Sequence, residues 1–252
     1  MPHDIRFVLV GTQHPGNIGS AARAMKTMGL SRLSLVAPSK FPHAEASAMA
    51  AGADDLMEAA SVHADLPEAL ADCVTVFGCT ARSRRVQLPE LTPREAAGRI
   101  LEAARQGPVA LVFGRERTGL TNEELMRCDV AIHIPSDPTF SSLNLAASVQ
   151  VLAYELRLAL LAEGEAEAAP VAGEEGEGPA PQAELERFFE HLAQALDDID
   201  FHKKRAPDTV MRRLRRLFSR ARPESRELRI LRGILADAQR MARLARQTDR
   251  DA

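Results

Sequence analysis

Three segments in the first 160 residues combine glycine, serine, asparagine, arginine and glutamate in a pattern that suits an anionic or nucleotide-like ligand. They are HPGNIGSAARAMKTMG (14–29), VFGRERTGLTNEEL (112–125) and IPSDPTFSSLNLAASVQVLAYEL (134–156). Each follows or contains an apolar run and passes through a short polar loop into an amphipathic helix. Helix N-termini attract anions and glycines let a ligand approach the backbone, so we expect the three turns to converge on one site.

Each segment leaves a structural interpretation open beside the functional one. Arg23 lies on a predicted helix, where a lone arginine is more often simply solvated. Three charges, 115–117, directly follow a buried strand, where a functional role and a solvated turn are equally compatible with the pattern. In 141–144 we expect one serine to cap the next helix, which leaves the other hydroxyl and the Asn144 amide free for a ligand.

Short continuous apolar runs alternate with helical patterns along the first part of the chain. Continuous runs indicate strands that are buried on both faces, as in a parallel sheet. The predicted strands are 5–10, 33–36, 74–78, 109–114 and 130–134, and the predicted helices are 17–28, 44–51, 92–104 and 143–161. Capping boxes are predicted at 92–95 and 121–124. The fold class is therefore α/β, a doubly wound parallel sheet with helices on both faces.

Charge is unevenly distributed and divides the chain into three parts. Residues 1–162, 163–183 and 184–252 carry net charges of −2, −6 and +5. We interpret them, in order, as a near-neutral α/β domain, an acidic flexible linker and a basic domain with three amphipathic helices. The basic run indicates RNA phosphate contacts at Arg212, Arg213, Arg215, Arg216 and Arg220. A solvated helix face, or the acidic linker as partner, remains an alternative.

Composition excludes several classes of protein. With no Trp, one Tyr and nine Phe, an aromatic RNA-binding surface is not expected, so RNA contact would be electrostatic. Three cysteines without CxxC spacing indicate neither a disulfide framework nor a zinc site. The sequence contains no GxGxxG and no P-loop motif, and we expect a cytoplasmic protein without a membrane span.

The three motifs and the basic tail KKRAP…VMRRLRRLFSRARPES…LRGIL resemble those of the SPOUT-class RNA ribose methyltransferases. The resemblance covers residues 5–161 and the tail. It implies a trefoil-knotted SPOUT domain followed by a small all-α bundle, S-adenosylmethionine as cofactor, no metal, and a homodimer whose active sites draw on both subunits. It also implies methylation of the ribose 2′-OH of cytidine or uridine 32 in the tRNA anticodon loop. Ribosomal RNA as substrate, or a noncatalytic RNA-binding or ribosome-assembly role, are the alternatives.

The resemblance also assigns site residues by position. The cofactor residues would be Cys79, Thr80, Ala81, Gly114, Ile134, Ser141, Ser142 and Leu143. The catalytic residues would be Arg23, Asn17, Glu116, Ser142 and Asn144. Because a guanidinium has no acceptor, we expect Arg23 to stabilise developing alkoxide charge rather than to remove the proton, with Glu116 orienting it.

Overall fold

The computed structural model describes residues 4–81, 88–165, 178–203 and 206–251. The chain divides into two compact units, Met1–Ala172 and Gly173–Ala252. Most of the predicted linker, 163–183, lies outside the described residues. The three-part division at 162 and 183 therefore stays a prediction.

The first unit is built on a parallel sheet. Its strands are β1 (Ile5–Val10), β2 (Arg32–Val36), β3 (Ser61–His63), β4 (Thr75–Cys79), β5 (Glu90–Leu91), β6 (Val109–Phe113) and β7 (Val130–Ile132). Their order is β3-β2-β1-β6-β4-β7-β5, and each neighbouring pair is parallel. The predicted fold class is confirmed. The strands β3 and β5 were not predicted, because three and two residues are too few to leave a continuous apolar run.

Helices cover both faces of this sheet. They are α1 (Pro15–Thr27), α2 (Ala44–Ala50), α3 (Asp54–Glu58), α4 (Leu66–Leu70), α5 (Pro93–Ala104), α6 (Asn122–Leu125) and α7 (Leu145–Glu165). Side chains of β1 alternate between two cores, since Phe7 and Leu9 pack with α1, α5 and α7, whereas Val8 and Val10 pack with α4 and α6. The trefoil knot stays a prediction from the resemblance.

Side chains cap the helices α5, α6 and α7. Thr92 and Thr121 form the two predicted capping boxes, at the start of α5 and of α6. The predicted serine cap of α7 is wrong. The helix begins at Leu145, and Asn144 Oδ1 accepts hydrogen bonds from the backbone N–H of Ala146 at 2.8 Å and of Ala147 at 3.4 Å. The cap therefore falls two residues later than Ser142.

The long helix α7 is both a core element and an exposed apolar surface. Val149, Leu152 and Leu156 are fully buried on its inner side, where it packs against α1 and α5. Tyr154 and Leu161 are each 48% exposed on the outer side. By length and composition, Leu145–Glu163 would suffice to cross a membrane, but core helices meet the same criterion, so this is weak evidence for a membrane.

The second unit is a helical bundle of α8 (Gln182–Asp198), α9 (Pro207–Ala221) and α10 (Ser225–Asp251). Its core contains Phe188 and Phe189 from α8 and Leu228 from α10. Phe218 of α9 meets Phe188 edge-on, with the ring centroids 4.8 Å apart. The predicted all-α bundle is confirmed.

Candidate active site

A pocket opens at the carboxyl ends of β4, β6 and β7, beside the start of α7. Its wall contains every residue that the resemblance assigns to the cofactor: Cys79, Thr80, Ala81, Gly114, Ile134, Ser141, Ser142 and Leu143. Pairing of β4 with β7 aligns two of these loops, because Thr80 N–H donates to the Ile132 carbonyl at 3.0 Å. The structure thus brings the whole set together, while contact of each residue with a ligand stays a prediction.

The loop after β6 forms one wall of this pocket by folding back on itself. The N–H of Gly119 donates to the Arg115 carbonyl at 2.8 Å. A Cβ on Gly114 would lie 2.1 Å from the Gly119 carbonyl carbon, so no side chain fits there. Gly119 has φ +65°, which favours glycine. Both glycines are needed for the backbone itself to line the pocket.

Glu116, in the same wall, binds the loop that leads into α1. Its carboxylate accepts hydrogen bonds from the backbone N–H of Gln13 and of His14, both at 3.1 Å, and from Asn17 Nδ2 at 3.0 Å. Burial alone would raise the pKa of Glu116, but the hydrogen bonds from Asn17 and from the backbone lower it overall. Glu116 is therefore ionised at neutral pH and ties the second motif to the first.

A second hydrogen bond extends this connection to the third motif. Asn144 Nδ2 donates to Asn17 Oδ1 at 3.0 Å. Asn144 Oδ1 is the cap of α7, so both ends of its amide are in use, and the expectation that this amide is free for a ligand is wrong. Neither asparagine is in the pocket wall. Asn17 and Asn144 thus hold three loops together, and Glu116 ends the chain of hydrogen bonds.

Arg23 stands apart from this network. It lies on the exposed side of α1 and outside the pocket wall, and it has no hydrogen bond or ion pair with any other described residue. The expected contact with Glu116 is not formed, because the Glu116 oxygens are used by the loop before α1 and by Asn17. Within one chain, Arg23 does not join the other expected catalytic residues.

The two arginines that flank Glu116 have different environments. Arg115 Nη1 contacts the two carboxylate oxygens of Glu124 at 2.9 and 3.1 Å, and Glu124 also caps α6. Arg117 is an exposed part of the pocket wall and has no polar partner in the described part of the chain. The sequence placed both among the charges that follow a buried strand but did not separate an ion-paired arginine from an unpaired one.

The expected RNA-binding arginines on α9 also differ from one another. Arg215 forms a two-point ion pair with Glu186, at 2.6 and 2.8 Å, and its guanidinium carbon lies 4.3 Å from the centre of the Phe189 ring. Arg212 contacts the Asp208 carbonyl and the Thr209 hydroxyl. The others, all exposed, are Arg213, Arg216 and Arg220. Arg215 is therefore engaged in the bundle, whereas its neighbours face solvent.

Comparison with protein families decides the assignment of the first unit. Residues 4–154 match the SpoU rRNA methylase family, and residues 183–249 match the C-terminal domain of the tRNA methyltransferase TrmJ. The chain belongs to the SpoU methylase family. Membership confirms the resemblance to the SPOUT-class methyltransferases and identifies the chain as an enzyme of methyl transfer.

Several named proteins are similar to this chain over nearly its whole length. A Yersinia enterocolitica protein named tRNA (cytidine/uridine-2′-O-)-methyltransferase TrmJ is 52% identical over 241 residues, which cover 95% of this chain and 93% of that protein. A Pseudomonas aeruginosa relative, whose name adds adenosine, is 52% identical and 95% of each chain is covered. The crystal structure of TrmJ from Z. mobilis ZM4 matches with a TM-score of 0.79 and 38% identity, over 92% of this chain and 97% of that one.

Proposed function

We propose that this SpoU-family chain is an S-adenosylmethionine-dependent tRNA methyltransferase. Its target is the ribose 2′-OH of cytidine or uridine at position 32 in the anticodon loop, and it works in the cytoplasm. The observation that carries the proposal is the pocket in which all the expected cofactor residues meet. The names of both relatives support a tRNA ribose as the substrate; the Yersinia enterocolitica name gives cytidine and uridine, and the Pseudomonas aeruginosa name adds adenosine.

The residues of the pocket fit S-adenosylmethionine. Backbone groups at 79–81 and 114 and the hydroxyls of Ser141 and Ser142 suit a nucleoside, and Phe113 and Leu143 add apolar surface. When bound, the cofactor supplies an electrophilic methyl group on its sulfonium. The residues of the chain then need to align the ribose oxygen with that methyl and to exclude competing geometries.

The geometry favours positioning rather than general-base catalysis. Glu116 has a lowered pKa and accepts three N–H groups, so it is a poor proton acceptor and serves to fix the loops. Ser142 is in the pocket wall and in this proposal holds the ribose. Arg23 stabilises the negative charge that develops on the ribose oxygen, and the proton leaves to water.

A homodimer would complete this site. Arg23 is outside the pocket wall of its own chain, so we propose that Arg23 of one subunit reaches the pocket of the other. The exposed apolar side of α7, with Tyr154, Leu158 and Leu161 between 39% and 48% exposed, is the proposed contact surface. Sedimentation of the purified chain tests this part, and an active monomer contradicts it.

The C-terminal bundle supplies tRNA affinity in this proposal. Unpaired guanidinium groups on α9, such as those of Arg213 and Arg220, suit phosphate oxygens. The intervening segment would keep the bound tRNA at a high effective concentration near the pocket.

Methyl transfer to defined transcripts tests the proposal. Cofactor-free protein is mixed with S-adenosylmethionine and an unmodified tRNA transcript that has cytidine at position 32, and the matched control has 2′-deoxycytidine there. We expect one ribose methyl on the first transcript and none on the second.

A substitution tests the role of Arg23 in the same assay. Arg23→Ala should lower kcat by roughly 100-fold without changing cofactor affinity. The control Lys26→Ala, which removes a contact to Asp55, should leave kcat unchanged. If calorimetry shows no S-adenosylmethionine binding, the proposed enzyme activity is wrong. If the protein methylates ribosomal RNA but not the tRNA transcript, the proposed substrate is wrong.

A further inference from the structure

The most exposed large apolar side chain in the described residues lies beside the pocket. Phe140 is 83% exposed, in the loop between β7 and α7. The next two residues, Ser141 and Ser142, are in the pocket wall. In a chain with nine Phe, one Tyr and no Trp, aromatic rings are scarce, and this one contributes little to the core. Its position next to two residues of the pocket wall leaves it accessible to a ligand.

The loop holds this ring in a defined place. The N–H of Phe140 donates to the Asp137 carbonyl at 3.0 Å, and the Thr139 N–H donates to the Asp137 carboxylate at 2.7 Å. Ser136 Oγ closes the loop by donating to the Ser141 carbonyl at 3.0 Å. Hydrogen bonds from Thr139 lower the pKa of Asp137, so the carboxylate that accepts them is ionised at neutral pH. The backbone that carries the exposed ring is thus pre-organised, which lowers the entropic cost of ordering the loop on binding.

We propose that the Phe140 ring is a stacking platform for a nucleobase of the RNA substrate. This inference rests on the proposed function and adds the residue that holds a base in place. An aromatic face binds any nucleobase by stacking. The surroundings supply the other two groups that a nucleotide needs, since Arg117 offers an unpaired cation for phosphate and Ser142 offers a hydroxyl for ribose. A single ring among polar groups is too small a surface for a protein partner.

The inference also revises an expectation from composition. Scarcity of aromatic residues predicted purely electrostatic contact with RNA, an expectation that was based on the lack of a broad aromatic surface. One ring next to Ser141 and Ser142 in the chain is enough to hold one base, because stacking acts base by base.

Substitutions separate stacking from other roles of the ring. Phe140→Ala should lower kcat/KM for tRNA by between about 5-fold and about 150-fold, the range expected for loss of one base–aromatic stack, with S-adenosylmethionine affinity unchanged. Phe140→Tyr keeps a flat ring and should restore activity. Val62→Ala removes another exposed apolar side chain, 55% exposed on β3 at the far edge of the sheet, and should have no effect.

A fluorescent variant gives a readout that does not depend on methyl transfer. Since the chain has no Trp, Phe140→Trp places a single reporter at the loop. We expect tRNA to quench its emission, S-adenosylhomocysteine alone to leave it unchanged, and a transcript without the base at the target nucleotide and its two neighbours to quench much less. If S-adenosylhomocysteine quenches Phe140→Trp and Phe140→Ala loses cofactor affinity, the ring covers the cofactor instead. If Phe140→Ala becomes monomeric, the ring is a contact between subunits. Either result, or equal quenching by the base-free transcript, overturns the stacking proposal even if the chain methylates tRNA.

Discussion

Asn144 donates a hydrogen bond from Nδ2 to Oδ1 of Asn17, across 127 residues of sequence. Neighbouring contacts fix the orientation of both amides, because Asn17 Nδ2 faces the Glu116 carboxylate and Asn144 Oδ1 caps α7. Reversing either amide would place donor against donor or acceptor against acceptor. The pair therefore specifies how the first and third motifs meet.

The variant Asn144→Asp separates the two contacts of this side chain. Aspartate is as good an N-cap as asparagine, so the melting temperature should change little. It has no N–H for Asn17 and would oppose the Asn17 oxygen with a carboxylate. Because Asn144 is exposed, we expect kcat for methyl transfer to fall by roughly 2- to 10-fold, which corresponds to the net contribution of about 0.5–1.5 kcal/mol of one hydrogen bond. Asn144→Ala, which also removes the cap, should additionally lose about 1 kcal/mol of stability. Full activity of Asn144→Asp would show that the contact is incidental.

Glu116 should make stability depend on pH. Its pKa in the folded chain is below the ordinary value of 4.5, so the carboxylate stabilises the fold at higher pH and this contribution is lost as the pH falls through the lowered pKa. Melting temperatures of the wild type and of Glu116→Gln should differ by a constant amount above about pH 5, and the difference should shrink at lower pH. Other carboxylates are common to both proteins and cancel. A difference that is the same at pH 3 and at pH 7 contradicts the assignment.

Two glycine-to-alanine changes test the wall of the pocket. In Gly114→Ala the new Cβ would lie 2.1 Å from the Gly119 backbone, so the loop must move and cofactor affinity should fall at least tenfold. The matched control is Gly98→Ala, on the exposed side of α5, where nothing lies within 4 Å of the new Cβ. This change should raise stability by about 0.5–1 kcal/mol and leave binding unchanged. Calorimetric titration with S-adenosylmethionine measures both, and normal binding by Gly114→Ala would exclude the loop from the site.

Removal of one arginine at a time separates RNA contact from bundle stability. Arg213→Ala and Arg215→Ala make the same change in net charge. The first should lower the salt dependence of tRNA binding by roughly one unit of log–log slope without changing the melting temperature. The second breaks the ion pair with Glu186 and the contact with Phe189, so it should destabilise the bundle. If both variants lower the slope equally at unchanged stability, Arg215 is a phosphate contact after all.

Local sequence pattern predicted the elements that depend on short-range chemistry. The strand β1 and the caps at Thr92 and Thr121 follow from apolar runs and from side chains three residues apart. Two of the pocket loops, those in segments 112–125 and 134–156, were predicted to meet, because polar residues at the carboxyl ends of parallel strands lie at one edge. Residues 79–81 of the pocket were assigned only by the family resemblance, and no residue of segment 14–29 is in the pocket wall.

Long-range pairing was not predictable from the same pattern. Glu116 was expected to orient Arg23, yet it binds the loop before α1, since three N–H donors in that loop satisfy its oxygens. Arg215 looked equivalent to Arg213 in sequence, and only the packing of α8 against α9 places Glu186 beside one of them. The exposed position of Phe140 likewise depends on how its loop closes.

The most direct test of the central claim is a nucleotide-resolution map of 2′-O-methyl groups in RNA from cells that lack this chain, compared with cells in which it is restored. The account predicts that methyl groups at cytidine or uridine 32 of tRNA disappear and return with the wild-type chain but not with Arg23→Ala. Ribosomal RNA should be unchanged. Retention of every methyl group at position 32, or loss confined to ribosomal RNA, would contradict it.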